Sequence, residues 1–96
     1  MMREREIEKK LVAAVKTQGG VCWKFVSPGT VGVPDRIILM PKGTIAFVEV
    51  KAPGEVPRKI QLKRHRQLRA LGFRVYVLDD RNKIDEIIHR IGGDVP

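Results

Sequence analysis

The segment from Arg36 to Val50 constrains this chain more than any other. Arg36-Ile-Ile-Leu-Met40 and Thr44-Ile-Ala-Phe-Val-Glu-Val50 are short, rich in β-branched residues, and separated only by Pro41-Lys42-Gly43. Two such runs around a three-residue link predict a β-hairpin, with Gly43 at the position that needs a positive φ. If that link sets the register, Met40 faces Thr44, and counting back in step brings Asp35 opposite Glu49. Directly opposed residues on one face have Cβ atoms roughly 4.5–5.5 Å apart, and like charges there repel. Side chains alternate faces along a strand, so Lys51 projects on the same side as Glu49. The hairpin therefore predicts two carboxylates and one ammonium around a single point.

A Glu-x-Lys on a strand has an ordinary explanation, an ion pair on a solvated face, and the neighbouring residues argue against it. Ile45 and Phe47 precede Glu49 on one face, while Ala46, Val48 and Val50 occupy the other. A strand apolar on both faces is expected to be central and covered, where unpaired charge is costly. A divalent cation between Asp35 and Glu49 would remove the repulsion. Hard carboxylate oxygens suit Mg2+ or Mn2+ better than zinc.

The partner is suggested by charge. Nineteen Lys and Arg against eleven Asp and Glu leave a net charge of +8. Such an excess is the footprint of a protein that approaches a polyanion, most often nucleic acid; an anionic membrane surface is the other candidate. No segment is long and apolar enough to span a bilayer, and Met-Met-Arg-Glu-Arg-Glu lacks the apolar core of a secretory signal. A single cysteine, Cys22, forbids an intrachain disulfide, so an intracellular, cytoplasmic setting is expected. In the run Val21-Cys22-Trp23 it reads as a small core residue. At 96 residues the expectation is one domain, 1–96, with a single core.

From Arg3 to Thr17, apolar residues recur at helical spacing: Ile7, Leu11, Val12, Ala14 and Val15. Glu4 and Glu8 fall inside that arc, whereas Glu6, Lys9, Lys10 and Lys16 point elsewhere. Compensation of the helix dipole, worth about 0.3–1 kcal/mol, explains an acid near the start of a helix but not one on its inward face. One of the pair is expected to face the acidic site, Glu8 ahead of Glu4 because it lies nearer the middle. Gly19-Gly20 ends the helix, and Val21 to Val26 reads as a strand. Ser27 to Pro34 is a loop with two glycines and two prolines, small enough for a phosphate backbone to approach, and Ser27 and Thr30 can donate hydrogen bonds to it. An ordinary connector would look the same.

Beyond the hairpin, Ala52 to Pro57 breaks the pattern, and Arg58 to Leu71 reads as a second helix closed by Gly72. Ile60, Leu68 and Leu71 form its apolar stripe; Gln61 and His65 share a ridge with Leu68. Arg58, Lys59, Lys63, Arg66 and Arg69 distribute positive charge elsewhere, as a rail for phosphates or a solvated face. Together with Arg36, next to Asp35, Arg58, Lys59, Lys63 and Arg66 are the candidate nucleic-acid contacts. Phe73 to Leu78 reads as a strand. Asp79 and Asp80 look like caps for a last amphipathic helix carrying Ile84, Ile87, Ile88 and Ile91. Gly92 to Pro96 is expected to fray. His65 and His89 are too isolated to suggest a zinc site.

The order helix, strand, hairpin, helix, strand, with Glu on the first helix, Pro34-Asp35 and then Glu49-Val50-Lys51, resembles the PD-(D/E)xK nucleases. Within that superfamily the chain is similar to the virus-type replication-repair nuclease family, VRR-Nuc. The matching stretches are Gly32-Val33-Pro34-Asp35-Arg36, Phe47-Val48-Glu49-Val50-Lys51-Ala52-Pro53, and Gln61 with Leu71-Gly72-Phe73. The resemblance implies an α/β, restriction-endonuclease-like core, a small mixed sheet in the order α-β-β-β-α-β-α. It also implies a Mg2+- or Mn2+-dependent DNA endonuclease, acting as a homodimer on branched DNA such as Holliday junctions, with no small-molecule cofactor; the alternative is a non-catalytic or partner-dependent nucleic-acid-binding module with the same fold. Asp35, Glu49 and Lys51 fall on the motif positions, with the Val50 main-chain carbonyl as a further metal ligand. Gln61 matches a recurrent glutamine, and both Glu4 and Glu8 can be aligned with the first-helix acid.

Overall fold

A computed structural model describes residues 2–92. Along the chain it contains α1 (Glu4–Thr17), β1 (Val21–Lys24), β2 (Arg36–Leu39), β3 (Ile45–Val50), α2 (Lys59–Ala70), β4 (Arg74–Leu78) and α3 (Ile84–Ile91). Short 3-10 turns occupy Pro41–Gly43 and Arg81–Lys83. Beyond Gly92, the expected fraying lies outside the described residues.

The hairpin adopts the expected register. Arg36 pairs with Val48, Ile37 with Phe47, Ile38 with Ala46 and Leu39 with Ile45, all antiparallel. Met40 N–H donates to the Thr44 carbonyl at 2.9 Å. The link itself differs from expectation, because Lys42 (φ 73°) joins Gly43 (φ 85°) in the left-handed region. Pro41 fixes its own φ, so the reversal falls on the next two residues. The exposed, unbranched Lys42 side chain tolerates this at a cost of about 1–2 kcal/mol.

β1 adds antiparallel to the free edge of β2, and β4 adds parallel to β3, giving the sheet order β1-β2-β3-β4. The parallel pair needs a crossover, which α2 supplies. β1 is shorter than expected: Val26 is 74% exposed and outside the strand. β3 is central, and every residue from Ala46 to Val50 is buried.

Period-two alternation divides the sheet into two faces. On one, Cys22, Ile38, Ala46, Val48, Val50 and Leu78 form a continuous core with Ile7, Leu11 and Val15 of α1 and the four isoleucines of α3. Cys22 is a core residue as expected, and burial pushes its thiol up to about 11. The other face carries Phe47, whose ring lies 5.3 Å from that of Phe25 and 5.8 Å from that of Phe73, and it carries Glu49.

Helix α2 departs from the expected apolar stripe. Its buried residues are Gln61 and His65; Ile60 and Leu68 are half-buried, and Leu71 is 74% exposed. Leu71 is the residue at the helix end and faces outward. The inward ridge is polar because the sheet residue beneath it is Glu49.

Candidate active site

Asp35 and Glu49 are brought together by the hairpin. Continuing the ladder one step beyond Arg36–Val48 places Asp35 across from Glu49, close enough that the Asp35 carboxyl raises the pKa of Glu49. Asp35 is anchored at both ends: its Oδ2 accepts the Val50 N–H at 2.8 Å, and its carbonyl accepts the Phe25 N–H at 2.8 Å. Glu49 is fully buried. Burial, then the hydrogen bond and charge of Asp35, push its pKa up to about 8, while Lys51 pulls the other way. Lys51 follows on the same face of the extended chain, its N–H bonded to the Leu78 carbonyl at 2.9 Å. Two acids this close, one of them buried, cannot both ionise without cost, and a proton or a cation relieves it.

Helix α2 holds Glu49 from above. Gln61 Nε2 donates to Glu49 Oε2 at 3.1 Å, and His65 Nε2 lies 3.1 Å from Glu49 Oε1. Gln61 Oε1 accepts the Arg58 N–H at 2.8 Å, which orients the amide. Sequence reasoning did not place His65 in the site. The signal lay in its i, i+4 spacing from Gln61, which puts both on one ridge.

The two first-helix acids have different surroundings. Arg36 Nε meets Glu8 Oε2 at 2.6 Å, and Arg36 donates through a second nitrogen to the Cys22 carbonyl at 3.1 Å. Arg36 alternates with Asp35 and projects onto the α1 face, so the inward position of Glu8 serves this ion pair. Both expectations for these residues are therefore corrected. Arg36 is mostly buried and tied to Glu8 rather than free for nucleic acid, and Glu8 neutralises Arg36 rather than facing the acid pair. Glu4, exposed at the start of α1, is the first-helix acid whose charge is felt by Asp35 and Lys51. Its carboxyl is held above its usual range, first by burial and then by Asp35, with Lys51 opposing.

The loop before Asp35 is docked on α2. Gly32 has φ +88°, and a Cβ there would sit 2.9 Å from Ile60 Cγ1. Arg64 Nε donates to the Val31 carbonyl at 2.7 Å. Ser27 and Thr30 are half-buried in this loop, whereas Arg58, Lys59, Lys63 and Arg66 are exposed around α2. Asp80 caps the following 3-10 turn through Asn82 N–H, and Asp79 pairs with Lys83, so both lie outside the site.

The donor set fits a hard divalent ion. No group of three or more His, Cys, Asp or Glu side chains converges among the described residues. Mg2+ does not need one, since it is usually bound through one or two carboxylates, retained waters and substrate phosphates. Asp35 and Glu49, facing each other across the hairpin, supply that pair.

No family model matches the sequence. A protein of Acyrthosiphon pisum secondary endosymbiont phage 1, named "Putative nuclease p44", is 54% identical over 82 residues, which are 85% of this chain and 88% of the relative. Among solved structures, one described as a VRR_NUC domain superposes with a TM-score of 0.86 at 30% identity, covering 93% of this chain and 97% of that one. High identity over most of a relative and a shared fold over nearly all of both chains agree with the acid pair on its hairpin. The chain belongs to the VRR-Nuc family.

Proposed function

We propose that the protein is a Mg2+- or Mn2+-dependent, structure-selective DNA endonuclease that hydrolyses phosphodiester bonds, with branched DNA such as a Holliday junction as its substrate. The observation that carries this reading is the placement of Asp35 across from buried Glu49 beside Lys51, in a chain of net charge +8. The phage relative's name supports the nuclease activity.

Asp35 and Glu49 would hold the ion, with the Val50 carbonyl as a third protein ligand. The chemistry such an ion would supply there is polarisation of the scissile phosphate and a lowered pKa for a bound water. Lys51 orients that water or neutralises charge developing on the phosphate. Gln61 acts through Glu49, its amide being engaged at both ends. Glu4 reaches the flank of the site that Lys51 occupies. Ser27 and Thr30 meet the phosphate backbone from the loop, and Arg58, Lys59, Lys63 and Arg66 meet it from α2.

Paired cutting of a junction calls for two sites related by a two-fold axis, and a homodimer supplies them. Support comes from the sheet face beside α2, where Val21 and Trp23 on β1, Ile45 and Phe73 project on the same side and stay exposed, Trp23 at 59%. An intracellular setting suits the substrate, and no helix among the described residues is long and apolar enough to cross a membrane. Two measurements test the proposal. Incubation with labelled junction, flap and linear duplex DNA in Mg2+ is expected to cut the junction fastest; equal rates on all three would remove the selectivity. Light scattering at micromolar concentration is expected to give a dimer mass, and a monomer mass would contradict paired cleavage.

A further inference from the structure

His65 has no part in the chemistry proposed above, yet its imidazole is 1% exposed and lies against Glu49. Its neighbour on the ridge, Gln61, is committed: with Oε1 on the Arg58 N–H, its amide nitrogen must donate to Glu49 Oε2. The imidazole is constrained in a complementary way. Among the described residues Nδ1 is buried with no protein hydrogen-bond partner, and the ring's polar contact is Nε2 to Glu49 Oε1. Against an ionised Glu49, only the tautomer with hydrogen on Nε2 makes a bond there.

A core position filled for packing alone gains nothing from an imidazole with two buried ring nitrogens. Leu or Met fills a similar volume without burying polar atoms. An ionised carboxylate has roughly four lone-pair sites. With Gln61 on one oxygen and His65 on the other, each oxygen keeps one free. We infer that His65 is a positioning residue for the metal-binding carboxylate, fixing the plane of Glu49 from Nε2 so that its free lone pairs face Asp35. This rests on the metal-dependent reading above.

The test is Mn2+ binding without DNA, followed by the paramagnetic resonance signal of the free ion. It compares wild type, His65→Gln and His65→Met, each checked for folding by circular dichroism. Gln can place an amide N–H near the Nε2 position; Met fills the space with no donor. The expected result is near-wild-type affinity for H65Q and a loss of about tenfold or more for folded H65M, the scale on which outer partners of metal ligands act. If H65M does not fold, His65→Asn replaces it: its amide reaches the Nδ1 position but not Nε2, so weakened binding is again expected. Wild-type affinity in the folded donor-less variant, or equal weakening in H65Q and H65M, would overturn the inference alone. A wild-type protein that binds no Mn2+ would remove the metal reading as well.

Discussion

Glu49 binds its proton more tightly in the folded protein than in the unfolded chain, because burial and Asp35 raise its pKa from 4.5 to about 8. A group raised in this way stabilises the fold at low pH, and the contribution is lost as pH rises through the folded value. His65 is held below its ordinary 6.5, first by burial and then by Arg69, and works in the opposite sense, so the loss is cleanest above pH 6.5. Metal-free protein is therefore expected to lose about 2 kcal/mol of stability between pH 6.5 and 8. Thermal melts in EDTA at the two pH values check this, and Glu49→Gln should flatten the difference. The Asp35–Glu49 pairing was legible in the sequence because it follows from counting back along a hairpin whose link is three residues long. His65 was not. Its partner lies 16 residues away on another element, and how a helix docks on a sheet is absent from local pattern. The Arg36–Glu8 pair, 28 residues apart, was hidden for the same reason, although Glu8 inside an apolar arc was its trace.

Among the elements, α2 sets both halves of the acid pair: it grips Glu49 through Gln61 and His65, and it seats the loop before Asp35 through Ile60 and Arg64. Gly32→Ala tests the second grip. Its Cβ would lie 2.9 Å from Ile60 Cγ1 and 3.0 Å from the Ile60 carbonyl oxygen, in a left-handed backbone conformation. The substitution is expected to cost about 1–3 kcal/mol in urea unfolding and to reduce activity, since the displaced loop runs into Asp35. Gly29→Ala, with nothing within 4 Å of its Cβ, is the control and should behave as wild type. Order and type of all seven elements were readable from periodicity and from glycine and proline positions. The inward face of α2 was not, because Ile60, Leu68 and Leu71 suggested a weak apolar stripe while the buried ridge is Gln61 and His65.

Over the whole molecule, the charge of +8 was plain in the sequence; which cations are free to use it was not. Arg36 is held by Glu8, while Lys59, Lys63 and Arg66 remain exposed along α2. Replacing those three with alanine is expected to reduce the slope of log K for DNA against log salt by about 2–3, at roughly 0.9 per phosphate contact. Fluorescence anisotropy across a salt series measures it, and an unchanged slope would place the DNA elsewhere. Metal-dependent strand scission by the Asp35–Glu49 pair is the activity proposed for this molecule. Its most direct test is the cleavage rate of end-labelled four-way junction DNA by wild type and Asp35→Ala, each with Mg2+, Mn2+ or EDTA. Cutting is expected by wild type in either metal, and none in EDTA or by the variant, which still binds the junction; cutting by the variant at the wild-type rate, or cutting that persists in EDTA, would overturn the assignment.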